Sequence, residues 1–154
     1  MSGPWESATG GQMDEDLVAQ ARPGIVLGLC AFALVGTGLT AAIVWPQLWM
    51  FGFRAWGFFQ TVMPPIISLL GLVLIPVGAS VASGRLWAAL AAVPVSVLTL
   101  LFGGIWTIYC TVNGLFTPLY LVLVGLGSLG TAASMVALAL SVRVDRARKA
   151  LLNG

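Results

Sequence analysis

Four stretches of the chain, 25–45, 62–82, 86–110 and 118–142, are predominantly apolar and contain no Asp, Glu, Lys, Arg or His. Each reaches the roughly 20 residues that an α-helix needs to cross a ~30 Å hydrocarbon layer. A soluble domain has no means of hiding so much apolar surface. Of the 154 residues 59% are hydrophobic and 8% charged, against about 25% charged in ordinary globular domains. The sequence therefore predicts an all-α, polytopic membrane protein, a four-transmembrane-helix bundle forming one domain.

Three regions follow from this reading. Residues 1–23 are a polar N-terminal segment, and within it DEDLVAQAR reads as a short acidic helix. Its carboxylates at the start and Arg22 at the end complement the helix dipole, and Pro23 with Gly24 stops it. Residues 24–142 are the transmembrane domain and 143–154 a basic tail. The acidic stretch ahead of the first apolar run does not resemble the basic start of a signal peptide. Between the first two spans lies WPQLWMFGFRAWGFFQT, where Arg54 and the tryptophans Trp45, Trp49 and Trp56 argue for the headgroup level. A short interfacial helix is expected over 47–60.

Counting basic residues sets the orientation. With four spans, the N-terminus, the Ser83-Gly84-Arg85 turn and the C-terminus share one side, which holds Arg22, Arg85, Arg143, Arg146, Arg148 and Lys149. The opposite side holds Arg54 alone. Because cytoplasmic flanks carry the excess of Lys and Arg, both termini are expected in the cytoplasm, with the chain in the cell membrane.

Lipid tails are as apolar as Leu, so close backbone packing at small residues must supply much of the helix association. Helix 1 offers Gly24-x3-Gly28 and, deeper, Gly36-x3-Thr40 and Gly38-x3-Ala42. Helix 4 offers Gly127-x3-Thr131 and the stripe Ala133, Ala137 and Ser141. Such stripes serve either packing within one chain or the pairing of subunits. Pro76 and Pro94 lie at matching depths, ~9–12 Å from the inner boundary at 1.5 Å per residue. Each frees a carbonyl one turn earlier, Leu72 and Leu90, which nearby Ser68, Ser80, Ser96 or Thr99 can satisfy. Two independent kinks are the plain reading; a widened inner half that admits a ligand or partner helix is the functional one. Pro64 and Pro65 are expected in the first helical turn, where proline is tolerated.

The chemistry-bearing residues are few. The chain has no His and two cysteines, which removes a Ser/His/Asp set, His-ligated zinc and bis-His haem. Cys30 and Cys110 fall near opposite membrane boundaries, so a disulfide between them is not expected. Gly125-Leu-Gly127-Ser-Leu-Gly130 matches the dinucleotide glycine pattern, but it sits inside a membrane span with no strand before it. Asp14, Glu15 and Asp16 read as a helix cap and solvated face rather than a cation site. No span holds the charge that marks an ion path or proton relay. No enzyme activity and no cofactor are expected. A net charge of +2 suggests no nucleic-acid partner.

What remains is a non-catalytic membrane subunit or scaffold that associates with itself or with other membrane proteins, in contact with membrane lipids. Arg143, Arg146, Arg148 and Lys149 would meet lipid headgroups or an acidic partner. A second reading is an oligomeric channel subunit with the N-terminal segment at its cytoplasmic mouth. A third, a carrier of hydrophobic ligands in a proline-kinked cavity, ranks lower.

Overall fold

The computed structural model describes residues 15–43, 58–114 and 118–153. Among these the chain is all-helical. A short helical segment over 15–20 precedes α1 (Ile25–Ala42), α2 (Phe58–Val81), α3 (Leu86–Val112) and α4 (Pro118–Asn153). All four helices are long and apolar enough to cross a membrane. They form a ring in which α1 packs on α2, α2 on α3, α3 on α4, and α4 back on α1, so every neighbour along the chain is an antiparallel neighbour in space.

The helix ends follow local chemistry. Gly84 and Gly114 stand at φ +67° and +70°, a left-handed conformation that costs glycine little and ends α2 and α3 without a clash at Cβ. Asn113 reinforces the second stop, its Nδ2 donating to the Tyr109 carbonyl at 2.8 Å. The expected interfacial helix over 47–60 lies outside the described residues except for 58–60, which are the first turn of α2. α2 thus starts ahead of the predicted stretch, because nothing in FFQTVM breaks a helix. Pro64 and Pro65 stand consequently in its second turn, not its first, and Pro64 is buried. α4 runs unbroken through the basic tail. Its 36 residues span about 54 Å, far more than a ~30 Å hydrocarbon layer.

Two clusters fill the bundle. Towards the end that holds the basic residues, Leu27, Leu34, Leu74, Val81, Ala88, Ala92 and Ala137 pack together. Towards the opposite end, Ala41, Ile67, Trp106, Cys110, Tyr120 and Leu123 do so. Trp106 stands edge-on to Tyr120 and stacks beside Tyr109, with centroids 6.4 and 5.7 Å away, geometries that favour aromatic pairs. Cys30 and Cys110 are free and belong to different clusters.

The tightest contact joins α1 to α2. A Cβ added at Gly71 would lie 2.5 Å from the Gly38 carbonyl oxygen and 2.6 Å from the Ala42 amide nitrogen. Both obstacles are backbone, so relief requires the helices to part. Alanine there gains about 1 kcal/mol of helix propensity, whereas overpacking a close contact costs ~1–3 kcal/mol. Gly71→Ala should therefore destabilise the folded bundle in bicelles by up to ~2 kcal/mol, the overpacking cost less the gain in helix propensity. Gly28→Ala, where an added Cβ meets nothing within 4 Å, should leave stability unchanged or slightly raised. Equal effects at both positions would show that α1 and α2 do not meet at Gly71.

Candidate functional site

Hydroxyl groups cross the bundle interior and tie helix to helix. Thr37 Oγ1 on α1 donates to the Leu126 carbonyl on α4 at 2.8 Å while also lying 2.9 Å from the Ala33 carbonyl of its own helix. Ser68 Oγ donates from α2 to the Ala41 carbonyl at 3.2 Å. Ser96 and Ser134 share a buried hydroxyl–hydroxyl bond of 3.0 Å between α3 and α4. These groups are buried, and each has a partner on a neighbouring helix. They are joints of the bundle rather than an open polar path.

Helix 4's predicted stripe is found largely in contact with the rest of the chain. Gly127 faces Leu100, whose Cδ1 would be 3.3 Å from an added Cβ. Thr131 is half-buried and bonds back to the Gly127 carbonyl at 2.8 Å. Ala133 packs against the larger cluster, and Ala137 and Ser141 are fully buried. The Ser141 hydroxyl and the Trp106 indole N–H are buried without a hydrogen-bond partner. Gly24 and Gly28 behave differently: a Cβ at either would meet nothing within 4 Å, and both are exposed. α1 buries Leu27, Cys30, Ala31 and Leu34 instead, and Gly24 and Gly28 lie at the edge of that face, where no other element covers them.

Among the described residues, Gly38, Gly71 and Gly78 are the glycines where another helix's backbone comes close, and Gly130 makes room for the Thr37 side chain. A Cβ at Gly130 would lie 2.5 Å from Thr37 Oγ1, and one at Gly78 would lie 2.9 Å from Leu34 Cβ. Gly71 and Gly78 are seven residues apart in the sequence. That spacing puts them on one face of α2, a signal that a search for four-residue spacing passes over.

Pro76 and Pro94 do not line a shared interior space. Both rings are exposed, as are Leu72 and Leu90, the residues whose carbonyls they free. α2 turns Leu74, Val77 and Val81 inward and α3 turns Ala88, Ala92 and Ser96 inward, which leaves positions 76 and 94 on the outer surface. The hydroxyls expected to satisfy the freed carbonyls bond elsewhere: Ser68 to Ala41, Ser96 to Val93 and Ser134, and Thr99 to Val95.

Exposed polar chemistry gathers at the end where the termini and the α2–α3 turn meet. Arg148, on the extension of α4, donates from Nε to the Ala21 carbonyl at 3.3 Å and from Nη2 to the Ser83 carbonyl at 3.4 Å. One guanidinium thus links the N-terminal segment, the turn after α2 and α4. Gly84 sits under it, and a Cβ there would contact Val144, Pro23 and Arg148. Lys149 pairs with Asp145 at 2.7 Å, one helical turn away. Among the described residues Arg22, Arg143 and Arg146 have no carboxylate in ion-pair range.

Between the N-terminal segment, α1 and α4 opens a cleft of about 600 Å³, lined by Gln20, Arg22, Gly24, Val26, Leu140 and Arg143 among others. A shallower one beside it runs between Leu17 and Gln20 on one wall and Arg143, Arg146, Ala147 and Ala150 on the other. Among the described residues, no group of three or more His, Cys, Asp and Glu side chains comes together. Comparison of the chain with family models, curated proteins and solved structures gives no match.

Proposed function

We propose that the chain is a non-catalytic subunit or scaffold of the cell membrane that assembles with itself or with other membrane proteins, both termini facing the cytoplasm. One observation carries this reading. The interior is closed by packed side chains and hydroxyl joints, while Gly24 and Gly28 leave α1 with an outward face where nothing meets the backbone. A further helix can approach there as closely as α2 approaches Gly38, and in lipid such approach is a main source of helix association. Thr37, Ser96, Thr99, Thr107 and Ser134 turn inward, and the exposed Thr111 and Ser128 bond back to carbonyls of their own helices at 2.8 and 2.9 Å, which favours this reading over a pore lined by hydroxyls between copies.

The assembly test uses the full chain extracted with its native lipids into nanodiscs. The protein mass per particle, with belt and lipid subtracted, should exceed the 16.0 kDa of one chain, and Gly28→Leu should lower that excess without lowering thermal stability. A particle of one chain with no co-purifying protein contradicts the proposal.

Orientation rests on the basic residues. In a background lacking Cys30 and Cys110, a membrane-impermeant maleimide applied to intact cells should label Asn113→Cys and spare Leu152→Cys, both exposed positions. The reverse pattern would place the termini outside.

A further inference from the structure

The cleft between the N-terminal segment, α1 and α4 combines features that no single helix supplies. Arg22 and Arg143 enter it from different elements, and Gln20 adds an amide. Both guanidiniums are exposed, and neither has an ion-pair partner among the described residues, the nearby Asp145 being engaged by Lys149. Gly24 opens α1 at the same place with no side-chain cap on the helix start, so the positive end of the α1 dipole faces the same space. Below these polar groups the lining turns apolar, through Val26 and Leu27 on α1 and Leu140 and Val144 on α4.

We propose that this cleft binds the phosphate of an anionic phospholipid, with the glycerol and upper acyl chain lying against Val26 and Leu140. The vertical order of the lining selects an amphiphile over a soluble anion. Cations and helix-end N–H groups stand at the level of the headgroups, and aliphatic side chains follow where α1 and α4 enter the apolar layer. A guanidinium presents several N–H donors in one plane and suits phosphate oxygens. Basic pockets between membrane helices on the cytoplasmic side are where phosphate headgroups are held. At about 600 Å³ the cleft has the size of a small-ligand site, enough for a headgroup and the first part of a chain but not a whole lipid.

This inference rests on the membrane placement proposed above but not on assembly, which particle mass reads separately. The test uses the full chain in nanodiscs of phosphatidylcholine doped with phosphatidylglycerol, released into detergent and weighed by native mass spectrometry. The wild-type chain should retain phosphatidylglycerol in preference to phosphatidylcholine. Arg22→Gln with Arg143→Gln should lower that retention about thirty-fold, the value of two basic contacts. Arg85→Gln with Arg146→Gln, an equal loss of two charges on the same side but outside the cleft, should change it little. The pair Arg22→Lys and Arg143→Lys should keep most of the preference, which separates lost charge from lost folding. An effect of the Arg85→Gln, Arg146→Gln pair as large as that of the cleft pair would reduce the preference to general surface charge and overturn the proposal. So would displacement of the retained lipid by millimolar inorganic phosphate, which would assign the cleft to a soluble anion, or a wild-type chain with no preference.

Discussion

The contact between Gly38 and Gly71 brings α1 and α2 so close that not one methyl group fits between their backbones. In water such an arrangement would be a detail of a core held by hydrophobic burial. In lipid, where exposed Leu and buried Leu have similar surroundings, backbone proximity is a large part of what holds helices together. The rest of the bundle follows from it. With α1 fixed on α2, Thr37 faces α4 where Gly130 leaves room for it, and its hydroxyl reaches the Leu126 carbonyl. α3 closes the ring through the Ser96–Ser134 bond and the fit of Leu123 against Gly103.

A bundle closed in this way leaves function to its surfaces and its ends. The two surfaces that stand out are the outward face of α1 at Gly24 and Gly28, and the basic end. At that end Arg148 does for the extramembrane parts what the glycines do inside, bringing the N-terminal segment and the α2–α3 turn against α4. The remaining cations are thereby displayed on a framework with defined positions. Arg143 and Arg22 converge on a cleft that neither the helix-4 extension nor the N-terminal segment would form alone.

The four long apolar helices were legible because a segment able to cross lipid needs a minimum length and excludes charge, and both are read directly from residues. The turns were legible at Ser83-Gly84-Arg85, where glycine and charge interrupt apolar sequence. The inward faces were not. When nearly every position in a span is apolar, the contrast that marks a helix face in a soluble protein disappears, so Gly24 and Gly28 stood out by their spacing while Gly71 and Gly78 did not. Only the position of a neighbouring backbone separates them. For Pro76 and Pro94 the matched depth could be counted but the side of the helix could not, and their outward placement leaves the plain reading of two independent kinks standing over a shared space. The cleft was out of reach because Arg22 and Arg143 are far apart in sequence and meet only through the path of α1 and α4.

The central claim is that bonds and close contacts between helices, rather than apolar burial, hold this bundle together. Thr37 and Thr40 on α1 test it with one kind of substitution. Both hydroxyls donate within their own helix, Thr37 to Ala33 and Thr40 to Gly36, at 2.9 Å each, but only Thr37 also reaches another helix. Valine keeps the shape and removes the hydroxyl in either case. Unfolding free energies in bicelles should fall further for Thr37→Val than for Thr40→Val, by ~0.6 kcal/mol and at most ~1.7 kcal/mol, the average and maximum for bonds between membrane helices. Equal losses, or a larger loss at Thr40, would contradict the account.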